Sequence, residues 1–189
     1  GLILPFEAVS LKAVDVCVIE VFEDNIVQFL QANKDLTGDE ELRRVGRPVL
    51  YTTVNLEETD VDNLYLWNQF NLDLQDIISL SPGSLYQVRI NFRRSQSLFT
   101  CDDEALIEDE IKIFNWDYPG AESSYWGYYE DYYYGNWEDR KNPCKDAYYG
   151  SRREITMNIM ASSLGIVAKG SENGEIRIFV SDMVTTQPK

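Results

Sequence analysis

The feature that most constrains the fold is a strict alternation of apolar and polar side chains over short segments. In residues 85–92 the side chains of Tyr86, Val88, Ile90 and Phe92 fall on one face, and polar side chains occupy the other. A period of two is typical of a β-strand with one buried face.

Seven segments carry such a pattern, or a short apolar run between turn residues. They are 3–10, 13–23, 48–56, 69–74, 85–92, 155–168 and 175–182. One short helix is expected at 25–32, with Asp24 as its N-cap. The chain lacks the strand–helix–strand rhythm of a parallel sheet. The pattern therefore predicts an all-β fold, a seven-stranded antiparallel β-sandwich.

The last two segments are expected to pair as a hairpin. The tripeptide Glu-Asn-Gly at 172–174 is a turn of hairpin type. Within 155–168 the apolar positions change parity at Ser162 and Ser163, which indicates a bulge or bend in one strand. We expect 155–168 and 175–182 to belong to the same sandwich as 85–92.

Residues 101–150 break the alternation. They contain nine of the twelve tyrosines, three of the four tryptophans, and thirteen acidic side chains against four basic ones. A connection of this length is usually functional or disordered unless something ties it down. We interpret it as a long aromatic, acidic insertion between two late strands of a single domain that spans 2–188.

The aromatic side chains of this insertion form a candidate interaction surface. They are Trp116, Tyr118, Tyr125, Trp126, Tyr128, Tyr129, Tyr132, Tyr133, Tyr134 and Trp137. Tyr and Trp side chains supply a large apolar contact area together with a polar tip. Three roles stay open: packing of the insertion onto its own sandwich, docking of a neighbouring domain, and binding of a sugar or a foreign protein.

The chain has three cysteines. Cys101 and Cys144 stand near the two ends of the insertion, and we expect a disulfide between them. Two free thiols are the alternative in a reducing compartment. Cys17 lies in an apolar segment, where we expect a buried free thiol.

Charge and composition narrow the function. The formal net charge is −15, which disfavours binding to nucleic acid or anionic lipid. The chain has no histidine, which excludes Ser–His and Cys–His nucleophile pairs and His-containing zinc sites. The acidic clusters do not follow the EF-hand spacing, so a solvated surface is expected and no metal or cofactor. No apolar run is long enough for a membrane span.

Several segments resemble those of one protein family. They are 4–9 (Leu-Pro-Phe-Glu-Ala-Val), 11–16, 44–49 (Arg-Val-Gly-Arg-Pro-Val), 82–86 (Pro-Gly-Ser-Leu-Tyr), 142–144 with 148–149, 158–169 and 181–188. These segments resemble macroglobulin-like domains of bacterial alpha-2-macroglobulins. The similarity spans nearly the whole chain and is weakest over 101–150.

The resemblance implies an immunoglobulin-like macroglobulin sandwich, one of several domains in a large protease-trapping protein, an endopeptidase inhibitor of the cell envelope. It implies a location in the periplasm or at the cell surface and allows a membrane-anchored parent. The partners would be neighbouring domains of that parent and, through the parent, proteases. No cysteine here stands in the C-x-E-Q motif of the family's thioester, so no catalytic residue is carried over and no enzyme is expected.

Two other functions start from the same residues. A carbohydrate-binding or adhesion sandwich would use the Tyr/Trp-rich insertion. An enzyme could use two of the many carboxylates, as glycosidases do, although nothing in the sequence places two such groups at a catalytic separation.

Overall fold

The computed structural model describes residues 2–33, 42–101, 138–149 and 153–189. The β-strands in these ranges are β1 (Ile3–Ala8), β2 (Ala13–Val21), β3 (Gly46–Asn55), β4 (Asn68–Asp73), β5 (Leu85–Asn91), β6 (Ile155–Met160), β7 (Leu164–Gly170) and β8 (Ile176–Asp182). The helices are α1 (Ile26–Ala32), α2 (Leu42–Val45) and α3 (Leu74–Ile77), with 3₁₀ turns at Glu23–Asn25, Arg94–Gln96, Asp139–Lys141 and Asp146–Tyr149.

The strands form three antiparallel sheets. One pairs β1 with β4, the second has the order β3-β2-β5-β6, and the third pairs β7 with β8. The predicted all-β, antiparallel fold is confirmed. Pro5 lies in β1, which has one strand neighbour among the described residues, as expected for a proline in an edge strand.

The main core lies between the first two sheets. Alternate residues of β1 are buried, as are those of β4, and Phe6 stacks on Phe70 with 5.5 Å between ring centroids. The four-stranded sheet contributes the inner faces of β2 and β5, with Val14, Val16 and Val18 opposite this pair. Because alternate residues of the strands are buried, each sheet presents an apolar face, and the two apolar faces pack together.

The outer face of the four-stranded sheet is also covered. Ile19 and Val21 of β2 pack with Phe29 of α1 and with Leu42 and Val45 of α2 in a second buried cluster. Helices α1 and α2 of the connection from β2 to β3 therefore lie over the sheet. The predicted helix at 25–32 is present as α1, but the predicted Asp24 cap is wrong. Asp24 lies in the preceding 3₁₀ turn, and the residue before α1 makes no side-chain cap bond.

Treating 155–168 as one strand was wrong. β6 pairs with β5, whereas β7 begins four residues after β6 ends and pairs with β8. Ala161 ends the β5–β6 pairing of the four-stranded sheet, because its N–H donates to Ser84 O and its carbonyl accepts from Gly83 N. Alternation reports which face a side chain occupies, not which strand is its neighbour, so the parity change at Ser162 marked a break between sheets.

The predicted strand number and the placement of the last hairpin change with that correction. The described residues hold eight strands, and β8 shares a sheet with β7 and not with β5. No side chain of β7 or β8 belongs to either buried cluster. The sandwich of the described residues is thus built from six strands, and the hairpin projects from it.

A buried carboxylate locks the segment that follows β5. Asp15 of β2 accepts hydrogen bonds from Thr53 Oγ1 (2.7 Å), Gln96 Nε2 (2.6 Å) and Arg93 Nε (2.6 Å). Gln96 is buried, and its carbonyl accepts from Lys12 N at 2.8 Å. A buried charge is tolerable only with this many partners. We call this set of four side chains the Asp15 clamp.

Replacing Asp15 with alanine is expected to lower the free energy of unfolding by about 3 kcal/mol, because Arg93 and Gln96 lose a buried acceptor. Denaturant unfolding followed by circular dichroism measures the change. Asp60, which is exposed, is the matched control, and its replacement by alanine should cost under about 0.5 kcal/mol. Equal effects of the two substitutions would contradict a structural role for the clamp.

Candidate interaction surfaces

Two parts of the chain leave the sandwich at opposite ends. β5 runs from Leu85 to Asn91, and β6 returns with Ile155 beside Ile90 and Met160 beside Leu85. The connection between β5 and β6, which contains 101–150, therefore leaves at the Asn91 end. The β7–β8 hairpin follows β6 and leaves at the Leu85 end.

A disulfide joins the two limbs of the long connection at the Asn91 end. Cys101 and Cys144 are bonded, with a Cα–Cα distance of 5.7 Å and a sequence separation of 43. Arg93 and Gln96 of the Asp15 clamp precede Cys101 in the chain. The outgoing limb is therefore bonded to β2 before it reaches the bridge. The backbone adds to this anchor, since Leu98 N donates to Ser10 O at 2.9 Å.

The returning limb packs on the sandwich through two tyrosines. Tyr149 lies edge-on to Phe92 with ring centroids 5.8 Å apart, and its hydroxyl donates to Pro143 O at 2.6 Å. Tyr148 contacts Tyr149 and lies under the guanidinium of Arg153, 4.0 Å from the ring centroid. These two tyrosines, which are not among the ten candidate surface residues, thus hold the returning limb beside Phe92.

The predicted interaction surface itself cannot be placed beside these residues. All ten of its members, from Trp116 to Trp137, lie outside the described residues. The surface remains a prediction.

Sequence reasoning missed an exposed aromatic loop between β3 and β4. Tyr65, Leu66 and Trp67 are all well exposed, and Trp67 shows 71% of its surface. Their loop is held from within: Asn63 Oδ1 accepts from Tyr65 N at 2.9 Å, and Asn68 Nδ2 donates to Leu66 O at 2.8 Å. The sequence does carry a signal for this loop, the run Tyr-Leu-Trp at 65–67 after an acidic stretch.

This loop lies at the Asn91 end, next to the start of the insertion. Ser10 joins the two, because its N–H donates to Leu64 O and its carbonyl accepts from Leu98 N. Ser10 has a positive φ of 55°, which lets its peptide groups serve both neighbours. Phe99, one residue beyond this contact, is also exposed. Apolar side chains therefore gather where the disulfide-closed connection begins.

The described residues offer little reactive chemistry. They contain no group of three or more Cys, Asp or Glu side chains placed to hold a metal ion. None of their helices is long and apolar enough to cross a membrane. The acidic residues that could form a glycosidase pair in 102–137 lie outside the described ranges.

Cys17 is a free thiol, as expected, but it is half-buried instead of fully enclosed. Burial raises the pKa of Cys17 from 9.0 to about 11, while Tyr51, its cross-strand neighbour on β3, partly lowers it. Burial and the adjacent thiol raise the pKa of Tyr51 as well. At neutral pH both groups are protonated, so Cys17 is a poor nucleophile.

Alkylation of native Cys17 should follow a pH profile with a midpoint near 11, above the ordinary 9.0. Tyr51→Phe should move the midpoint higher, since it removes the neighbouring hydroxyl that lowers this pKa. The exposed Tyr65→Phe is the control and should not move it. Because the folded pKa lies above the unfolded one, the free energy of unfolding should fall as the pH rises from about 9 to 11. A midpoint at or below 9 would contradict the burial argument.

The disulfide is expected to stabilise the Asn91 end. In the chain-entropy model a bridge across 43 residues contributes about 4 kcal/mol. Replacing both Cys101 and Cys144 with serine should lower the melting temperature and speed hydrogen exchange over 144–149. Cys17→Ser, which removes a thiol far from the bridge, is the control and should leave the hydrogen exchange over 144–149 unchanged. Rapid alkylation of Cys101 and Cys144 in the unreduced native chain would show that the bridge does not form.

Comparisons with known proteins agree with the fold. No model of a known protein family matches the sequence, and no curated protein matches it. Two solved structures do, both of native alpha-2-macroglobulin from Escherichia coli. The fragment spanning domains MG0-NIE-MG1 gives a TM-score of 0.53, and the fragment spanning NIE-MG1 gives 0.51. Each is 14% identical to this chain and matches 98% of it.

The chain spans only part of those structures, 41% of the first and 64% of the second. At this level of identity the likeness concerns the fold. The chain therefore has a macroglobulin-like fold, shared with domains of Escherichia coli alpha-2-macroglobulin.

Proposed function

We propose that this chain is a non-catalytic structural and interaction domain of a bacterial alpha-2-macroglobulin-like protein that traps proteases. In this proposal residues 2–188 form one domain, and 101–150 are its insertion. The observation that carries the proposal is the structural likeness over 98% of the chain to domains of one such protein. Its partners would be neighbouring domains of the parent and, through the parent, proteases.

The geometry supports a mechanical role. The polar side chains that are buried serve the framework: Asp15 holds the segment after β5, and Tyr86 joins Glu20 to the turn at Ser81 through its hydroxyl. The one free thiol of the described residues is protonated at neutral pH. A sandwich with a hairpin at one end and a disulfide-closed connection at the other suits a spacer that transmits movement between domains.

The disulfide supports a location outside the cytoplasm, in the periplasm or at the cell surface. Bridges of this kind persist in oxidising compartments and are rare where thiols are kept reduced. Cys101–Cys144 joins the two limbs of the connection between β5 and β6, so its loss in a reducing compartment would loosen the Asn91 end.

The experiment compares the parent protein with the 189-residue chain. Each is incubated with representatives of the serine, cysteine, metallo- and aspartic proteases, and digestion of a large protein substrate is measured. The parent should inhibit at least one class. The 189-residue chain alone should inhibit none, because trapping would need the other domains.

Two results would each contradict a different part of the proposal. Inhibition by the isolated chain would assign the trap to this domain and remove its purely structural role. Absence of inhibition by the folded parent across all four classes would remove protease trapping itself. Loss of inhibition in a parent that carries Asp15→Ala, but not in one with Asp60→Ala, would place the rigid framework in the pathway of movement.

A further inference from the structure

The β7–β8 hairpin is the part of the described structure that lacks a core. Neither buried cluster includes its side chains, and the last buried apolar residue before it is Ala161. Two exposed serines, Ser162 and Ser163, connect Ala161 to Leu164. An isolated two-stranded hairpin is marginally stable in water, so this one is expected to need a partner surface.

Register divides the hairpin into two unlike faces. Leu164 pairs with Asp182 and Ile166 with Val180, so even-numbered residues share a face across both strands. The apolar members of this face are Leu164, Ile166, Ala168, Ile176, Ile178 and Val180. We call it the aliphatic face. The odd-numbered face mixes Val167 and Phe179 with Lys169 and Arg177.

The aliphatic face is open to solvent in the described structure. Ile166, Ile176 and Ile178 expose 67%, 71% and 64% of their surface. Burial of apolar surface is the main driving force for association, so these three exposed side chains favour docking. Branched aliphatic side chains in alternation are the composition of a sheet face in a sandwich core.

The two edges of the hairpin differ in their hydrogen bonding. Met183 N donates to Ser163 O and Ser171 N to Glu175 O, which places the mutual hydrogen bonds at odd residues and turns the peptide groups of even residues outward. On the β8 side, Lys189 N donates to Val180 O and Asp182 N to Gln187 O. A third line of backbone thus runs beside β8. On the other side, β7 has no second strand neighbour among the described residues.

We infer that the aliphatic face docks against the aliphatic face of a β-sheet in an adjoining domain of the same protein. The inference rests on the proposed function only in taking the chain as one domain of a larger protein. An aliphatic sheet face matches the aliphatic face of another sheet, since sheets pack face to face about 10 Å apart. The structures with the same fold are fragments that span more than one domain, and this chain matches 41% and 64% of them.

Hydrogen exchange measured by mass spectrometry tests the docking. In the 189-residue chain the amides of β7 and β8 should exchange much faster than those of β2 and β5. In the parent, with its adjoining domains present, exchange across β7 and β8 should slow by more than about tenfold. Equal exchange of the hairpin in both proteins would overturn the inference. So would a stable dimer of the 189-residue chain that Ile178→Asp dissociates, because the partner would then be a second copy.

Substitutions on the two faces identify which one docks. In the parent, Ile166→Asp and Ile178→Asp should each abolish the slowing, whereas Val167→Asp on the opposite face should leave it. Ile178→Ala is a milder variant, for use if a charge prevents folding, and it should reduce the slowing in part. Loss of protection by Val167→Asp with retention in Ile178→Asp would overturn the assignment of the face.

The protease assay separates this inference from the proposed function. A protected hairpin in a parent that inhibits no protease would remove the trapping function and leave the docking intact. An unprotected hairpin in a parent that does inhibit would remove the docking and leave the function.

Discussion

Strand β2 is covered on both faces, by the β1–β4 sheet on one side and by the segment that carries α1 and α2 on the other. Val16 and Val18 point into the first layer, and Ile19 and Val21 pack with the second cluster. β2 also has a strand on each side, β3 and β5. A strand with no exposed face and no free edge cannot shift its register without moving its neighbours, so the sandwich has one arrangement.

The first residues of β2 hold the Asn91 end of the sandwich in place. Asp15 lies there, and its bonds to Arg93 and Gln96 hold the segment after β5 against the sheet. Cys101 follows a few residues later, and its bridge to Cys144 returns the chain toward β6. Asp15 holds the outgoing limb, the disulfide joins the two limbs, and the Phe92–Tyr149 contact holds the returning limb. The insertion thus starts and finishes at fixed points, whatever its own conformation.

Sequence patterns predicted the strands well because burial leaves a direct trace in the order of side chains. β4, β5 and β8 follow from alternation, and α1 from apolar residues three and four apart. The pattern did not predict which strands pair with each other. Nothing in 155–168 states that β6 pairs with β5 while β7 pairs with β8, because both halves alternate equally well. Gln87 was assigned correctly to the polar face of β5, yet it is fully buried because the outer face of the sheet is covered.

The candidate surfaces were predictable only in part, for a related reason. Composition draws attention to regions dense in aromatic residues, such as 116–137. Tyr65 and Trp67 are only two residues, and they become a candidate surface because they are exposed on a loop that Asn63 and Asn68 hold. The hairpin shows the converse. Its isoleucines look like core residues in the sequence, and the structure leaves them in solvent. Aliphatic side chains suited to a core but placed outside the sandwich of the described residues are the observation on which the proposed docking of the hairpin rests.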